Sequence, residues 1–292
     1  MRGRLGGLGG DGALILAAVF LGLNYAAIKV AVVSVPPLLI GAFRFVLGGL
    51  VLLGVLRLVE EARRPKSGAL LAMLGIGLVG GTLFNAALNE GMSLTSASSS
   101  ALIMATAPIW GMFLAAALGV ETLKLRGLLG AGISLLGVGL ILGKGLEGSA
   151  SSLLGDVLVL VAAISFGAYS VLSRREQSNY SPLTVAAYTT LFGGLALLPI
   201  ASTELAGWNV GATGLGAWAA VGYLTIFSTA FAYGVWQRGI ARIGPNKVLV
   251  YLYLITLTGV ISSVVLLHED FGPRRVIGAI VLLAGVYLSR RG

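Results

Sequence analysis

Residues 22–53, GLNYAAIKVAVVSVPPLLIGAFRFVLGGLVLL, align without a gap on residues 167–198, GAYSVLSRREQSNYSPLTVAAYTTLFGGLALL. The shift of 145 sets Gly22 on Gly167, Pro37 on Pro182, Ala42 on Ala187 and Gly48-Gly49-Leu50 on Gly193-Gly194-Leu195. A shift of 148 extends the match, pairing Gly91 with Gly239, Glu121 with Glu269, Gly130-Ala131 with Gly278-Ala279 and Gly137 with Gly285. The chain therefore divides into two related halves, 1–146 and 147–292.

Composition says where such halves live. Of 292 residues 57% are hydrophobic and 11% charged, against roughly 25% charged in a soluble domain, and the mean hydropathy is +0.96. No polar segment is long enough for a soluble domain, so the expected fold is an all-α polytopic membrane protein. A span takes about 20 apolar residues. Runs of that kind fall at 13–33, 37–58, 67–89, 97–119, 126–143, 154–174, 182–203, 214–237, 246–267 and 273–289. The first, behind Arg2 and Arg4, is read as a retained helix, since no convincing cleavage site interrupts it. The 44 glycines scattered through these runs suit close helix packing in lipid. The absence of cysteine excludes disulfides, thiolate metal sites and thiol nucleophiles.

Charge sets the orientation. With the N-terminus cytoplasmic, fifteen of the 20 Lys and Arg residues fall in inside segments and three (Lys144, Arg274 and Arg275) outside, the asymmetry expected of cytoplasmic loops. The net charge of +9 thus reads as loop bias, with a lipid bilayer as the partner and no nucleic acid. Both termini fall inside. Five spans per half is an odd number, so the second half enters with opposite orientation. Inverted repeats of this kind are the architecture of secondary transporters, whose halves open alternately around a site near the midplane.

The stretches GLNYAAIK…SVPPLLIGAFRF and SFGAYSVLSRR…SPLTVAAY, with the regions from Asn85 to Leu123 and from Tyr233 to Phe271, resemble the EamA-type members of the drug/metabolite transporter superfamily. The resemblance covers essentially the whole chain. It implies ten helices around a central cavity lined by the first, third, fourth, sixth, eighth and ninth, in a bacterial inner membrane. Among members the chain resembles the amino-acid exporters, an aromatic amino-acid exporter included, more than sugar-phosphate or nucleotide-sugar carriers. It departs from the family pattern where Pro108 of the fourth helix meets Thr256, rather than a second proline, in the ninth.

Enzymatic readings find no support. The single histidine, His268, lies at a helix end beside Glu269, so no hydrolytic triad can form at mid-depth. No cluster has metal-ligand spacing, and no cofactor is expected. Glu90, Asp156, Glu121 and Glu269 all fall near predicted helix ends. Proton-driven antiporters need an intramembrane carboxylate or histidine, so the expectation is uniport-like transport, with Glu90 the first suspect should a proton be coupled. Small multidrug relatives carry a glutamate in their first helix, where this chain has Asn24, Tyr25 and Lys29.

Two cations remain within spans. Lys29 lies about 6 Å from its helix end at 1.5 Å per residue and can snorkel; its repeat mate, Arg174, is also a helix-end residue. Arg44 lies about 10 Å deep, its mate is Thr189, and it needs a partner or a water-filled surface; it is read equally as scaffold and as substrate contact. The pathway wall is expected from Asn24, Tyr25, Asn85, Asn89 and Thr106 as amide and hydroxyl groups. Tyr169, Tyr233, Trp236, Gln237, Tyr251 and Tyr253 supply the more aromatic face. A polar wall opposite an aromatic one suits an amino acid. Trp208 and Trp218 are read as interfacial belt residues, and Ser98–Ser100 as a helix start. Pro36, Pro37, Pro108 and Pro245 are the expected hinges. The expected function is export of amino acids and similar metabolites by alternating access, with a multidrug or nucleoside-like efflux carrier as the alternative. A monomer is compatible with this pattern, and the oligomeric state stays open.

Overall fold

The computed structural model describes residues 8–60, 64–119, 124–147, 150–243, 248 and 251–290, with side chains described for 12–60, 64–119, 124–141, 152–243, 248 and 251–288. Regular structure among the described residues is helical throughout. We label the helices α1 (Leu8–Ala31), α2 (Pro37–Val59), α3 (Ser67–Leu94), α4 (Ala97–Ala117), α5 (Leu125–Glu147), α6 (Ala150–Glu176), α7 (Pro182–Ala201), α8 (Leu215–Ile243), α9 (Tyr251–Leu267) and α10 (Pro273–Arg290). Seven of these (α1–α4 and α6–α8) are long and apolar enough to cross a membrane; α5 and α9 contain shorter apolar stretches.

Local chemistry explains where they start. Pro37 and Pro182 occupy the first turn of α2 and α7, where a missing N–H is harmless. Ser181 caps α7 by accepting from Thr184 N at 3.1 Å, and Ser96 caps α4 by accepting from Ser99 N at 3.1 Å. Short connections alternate the helix directions. One end of the bundle carries the α1–α2 turn and the starts of α2, α4, α6, α8 and α10; we call it the turn end. The other, the terminal end, carries the start of α1.

The closest packing runs between the halves of the sequence. α2 lies against α7, α5 against α10, α1 against α9 and α3 against α6. Glycine permits the closest of these approaches. A Cβ at Gly49 would sit 2.7 Å from Leu191 Cα, and one at Gly194 would sit 2.5 Å from Val46 N. Because Leu191 is the repeat mate of Val46, these two contacts are reciprocal. The same holds in α5 and α10, where a Cβ added at Gly137 would run into Leu282 N and one added at Gly285 into Ser134 N.

Two helices carry a wider, π-helical turn, Leu78–Leu83 in α3 and Leu224–Phe231 in α8. Their positions correspond under the shift of 148, although LVGGTL and LTIFSTAF share little sequence. Each turn meets a glycine across an interface: Gly81 meets Gly193 of α7, and Thr229 meets Gly48 of α2. α4 is broken at Ala105–Thr106, with Pro108 in the first turn of its second piece, whereas α9 runs unbroken past Thr256. The Pro108/Thr256 asymmetry is thus also an asymmetry of backbone.

Candidate functional site

A small cavity of about 40 Å³ lies inside the bundle. α1 lines it with Leu21, Asn24 and Tyr25, α3 with Phe84 and Leu88, and α4 with Met104 and Ala105. Phe166 of α6, Tyr233 of α8, and Leu252, Ile255 and Thr256 of α9 complete the wall, and α2 adds Arg44. The space would hold one or two waters, far below the roughly 300–1,000 Å³ of a typical small-molecule site. A molecule larger than water would fit here only if the walls moved apart.

Arg44 is the charged residue among those lining the cavity, and it is 1% exposed. Its Nε donates to Thr229 Oγ1 at 3.0 Å and its Nη2 to Ser228 Oγ at 3.5 Å. Ser228 Oγ in turn donates to Asn24 Oδ1 at 2.8 Å, which joins the cation to the polar group of α1. The guanidinium lies 5.5 Å from the Phe45 ring centre, and Phe45 meets Tyr233 edge-on at 5.6 Å. Nη1 has no hydrogen-bond partner among the described residues. A buried guanidinium held by two neutral hydroxyls, with one nitrogen unpartnered, is poorly compensated for leaving water. Nη1 is left able to donate to a further acceptor, and a carboxylate would accept two parallel N–H bonds from a guanidinium.

The other expected wall residues fall into three places. Asn24, Tyr25, Arg44 and Tyr233 meet at the cavity. Asn85 and Asn89 are fully buried but face α2 and α7: a Cβ at Gly41 would stand 3.0 Å from Asn85 Cβ, 3.0 Å from Asn89 Nδ2 and 2.9 Å from Leu197 Cδ2. Asn85 Nδ2 donates to Gly81 O at 2.8 Å, while Asn85 Oδ1 and both amide atoms of Asn89 have no hydrogen-bond partner among the described residues. The cavity face of α3 is instead Phe84 and Leu88, also four residues apart. Buried polar groups settle between membrane helices as readily as in a pathway, so polarity alone did not identify that face.

Towards the terminal end, Gln177 hydrogen-bonds Gln237, Gln237 Nε2 donates to Tyr169 OH at 2.6 Å, and Tyr169 OH lies 3.5 Å from Thr189 Oγ1. Trp236 is buried with its ring 6.5 Å from that of Phe166, one layer behind the cavity. Thr106 Oγ1 donates to Ile103 O at 2.7 Å and accepts from Trp110 Nε1 at 3.1 Å, bridging the break in α4. Tyr251 packs on the main core and Tyr253 on a separate cluster around Leu102 and Leu282. Lys29, in the last turn of α1, lies within electrostatic reach of Glu269. Pro36 and Pro37 form the start of α2; Pro245 and Glu121 lie outside the described residues.

Trp208, expected as an interfacial belt residue, also makes contacts across the fold: its Nε1 donates to Ser34 O at 2.9 Å, and its ring packs 6.1 Å from Phe43 and 5.8 Å from Trp218. It ties the α7–α8 connection to the α1–α2 turn. Sequence reasoning also passed over Phe84, Leu88, Phe166, Ser228 and Thr229. Only Phe84 and Leu88 had a legible signal, their spacing of four, and that spacing was shared by the asparagines beside them.

The model of the EamA-like transporter family matches residues 8–143 and again 153–291. An uncharacterized transporter of Archaeoglobus fulgidus is 26% identical over 278 residues, covering 95% of this chain and 97% of that protein. A probable amino-acid metabolite efflux pump of Escherichia coli is 26% identical, covering 96% and 94%. A probable terminal-alkyne amino-acid exporter of Streptantibioticus cattleyicolor is 25% identical, covering 78% and 76%. One solved crystal structure superposes with a TM-score of 0.68 over 95% of this chain and 96% of its own, at 20% identity, a likeness of fold. With the family model matching nearly the whole length and the described residues forming apolar helices throughout, the chain is a multi-pass membrane protein that belongs to the EamA-like transporter family.

Proposed function

We propose that this transporter exports amino acids and related small metabolites across a bacterial cytoplasmic membrane by alternating access, with the terminal end cytoplasmic. The observation that carries the reading is Arg44, a buried cation on the cavity wall whose Nη1 has no partner, and which has no carboxylate at hydrogen-bond distance, among the described residues. A substrate α-carboxylate supplies the missing acceptor, Asn24 and the hydroxyls beside it meet the polar head, and Tyr25, Phe166 and Tyr233 receive the side chain. The names of the Escherichia coli and Streptantibioticus relatives point to the same substrate class. A cavity whose charge is positive disfavours the alternative, an exporter of cationic drugs. None of the described residues lining the cavity is a carboxylate or a histidine, which supports uniport-like movement down the substrate's own gradient. Because the tightest packing crosses the sequence halves, the bodies that move combine helices of both halves.

The test is counterflow in proteoliposomes with a panel of labelled amino acids, with and without a pH gradient. Saturable exchange for part of the panel is expected, with rates unchanged by the gradient. Arg44→Lys, which keeps the charge but loses the planar fork, should raise KM at least tenfold for the transported amino acids. No exchange across the panel, or an Arg44→Lys variant with unaltered KM, rejects the reading. Rates rising several-fold with the gradient reject the uniport mechanism.

A further inference from the structure

At the turn end, two carboxylates from the second half sit on the starts of two helices from the first. Glu204, just beyond α7, accepts through Oε2 from Leu38 N at 3.0 Å and Leu39 N at 3.1 Å. Glu269, just beyond α9, accepts from Ala97 N at 2.7 Å through Oε1, and from Ser98 N at 3.0 Å and Ser98 Oγ at 2.6 Å through Oε2. Neither helix start is complete without them. α2 begins at Pro36–Pro37 with no side-chain cap of its own, and in α4 the capping Ser96 serves Ser99 N, leaving the N–H groups of Ala97 and Ser98 to Glu269. A carboxylate at a helix N-terminus gains from both the free N–H groups and the helix dipole. Trp208 and Thr213 add two hydrogen bonds from the second half, at 2.9 and 3.3 Å, to the single carbonyl Ser34 O.

The two ends of the bundle are joined differently. At the terminal end, Glu60 reaches α7 through the hydroxyl of its cap, Ser181, and Tyr180 OH accepts from Lys66 N at 3.2 Å. The turn end is held by carboxyl groups placed directly on free backbone donors, in two separate places. Any motion that opens this end must part them.

We propose that Glu204 and Glu269 are the latch of the extracytoplasmic gate: their charges, docked on the starts of α2 and α4, hold the outward route shut, and release of this pair is the event that opens it. The groups facing them set the balance. Glu90 of α3 lies beside Glu204, close enough for the two carboxyls to share a proton in a hydrogen bond, whereas Arg275 Nη1, 3.2 Å from Ser98 Oγ, and Lys29 of α1 support Glu269. The outward placement of this latch rests on the alternating-access reading above.

The chain contains no cysteine, so introduced thiols report without background. Val33 and Asn209 are exposed and line one groove between the α1–α2 turn and the α7–α8 connection. A Val33→Cys/Asn209→Cys pair bridged by a short bis-maleimide reads closure of the gate directly. Leu88→Cys on the cavity wall, treated with a membrane-impermeant maleimide from either side of oriented vesicles, reads access. With Glu204→Gln or Glu269→Gln, the cross-link should fall several-fold, and labelling of Leu88→Cys from the extracytoplasmic side should rise several-fold, at least tenfold in the double variant. Glu60→Gln should leave the cross-link intact. Cross-linking and outside labelling unchanged in both glutamine variants, or labelling that rises equally from both sides, overturns the latch. If one variant fails to fold, the other decides, because the two clamps are separate. A cross-link that responds as expected in a protein without counterflow sustains the latch and removes the carrier reading.

Discussion

Gly137 and Gly139 lie two residues apart on α5, and nothing local distinguishes them. A Cβ at Gly137 would stand 2.4 Å from the backbone nitrogen of Leu282, while one at Gly139 would meet nothing within 4 Å. A backbone atom cannot rotate away as a side chain can, so Gly137→Ala must push α5 and α10 apart. Overpacking of this kind costs about 1–3 kcal/mol, whereas alanine for glycine on an open helix face is neutral or mildly favourable. Thermal unfolding in detergent should therefore show a clearly lowered Tm for Gly137→Ala and an unchanged or raised one for Gly139→Ala. Equal midpoints would mean that the α5–α10 interface yields. The repeat marked Gly137 through its match to Gly285; the contact itself became visible only once the two helices were docked.

At the scale of the element, the α4/α9 and α3/α8 pairs teach opposite lessons. The break in α4 was legible: Pro108 forbids a continuous hydrogen-bond ladder, and Thr256 at the matching place in α9 permits one. Thr106 bridges the break through its hydroxyl, so the joint is ordered while remaining a joint. On the hinge reading, Pro108→Ala should leave folding intact and let α4 straighten. Counterflow at saturating substrate should then slow several-fold with KM little altered; a wild-type rate would make the proline a packing residue. The wide turns of α3 and α8 were not legible, since LVGGTL and LTIFSTAF have no residue pattern in common. An added residue in a helical turn rotates everything beyond it. Periodicity therefore could not say that Phe84 and Leu88, rather than Asn85 and Asn89, look into the cavity, nor that Ser228 and Thr229 meet Arg44.

Across the whole molecule, the halves seen in the sequence are interleaved. α2 packs on α7, α5 on α10, α1 on α9 and α3 on α6, so each half alone would expose the faces that these interfaces cover. We expect residues 1–146 and residues 147–292, expressed separately, to give no monodisperse species on size exclusion, and co-expression of the two to restore one that shows counterflow. A stable half on its own would show that the crossing interfaces add little to folding.

Hydropathy, the Lys/Arg asymmetry and the repeat, all summed over many residues, were enough to recognise a polytopic helical protein, while its family was reached through the resemblance carried by stretches such as GLNYAAIK…SVPPLLIGAFRF. They also singled out Arg44 as a deep charge whose repeat mate, Thr189, is neutral. Which side chains share the cavity, which groups hold Arg44, and that Glu204, Glu269 and Trp208 bind one half to the other were decided only by the tertiary structure. In an apolar helix nearly every face is fit to be buried, so composition places the helix in the membrane but leaves its rotation, and hence the company of each polar residue, to packing against helices far away in sequence.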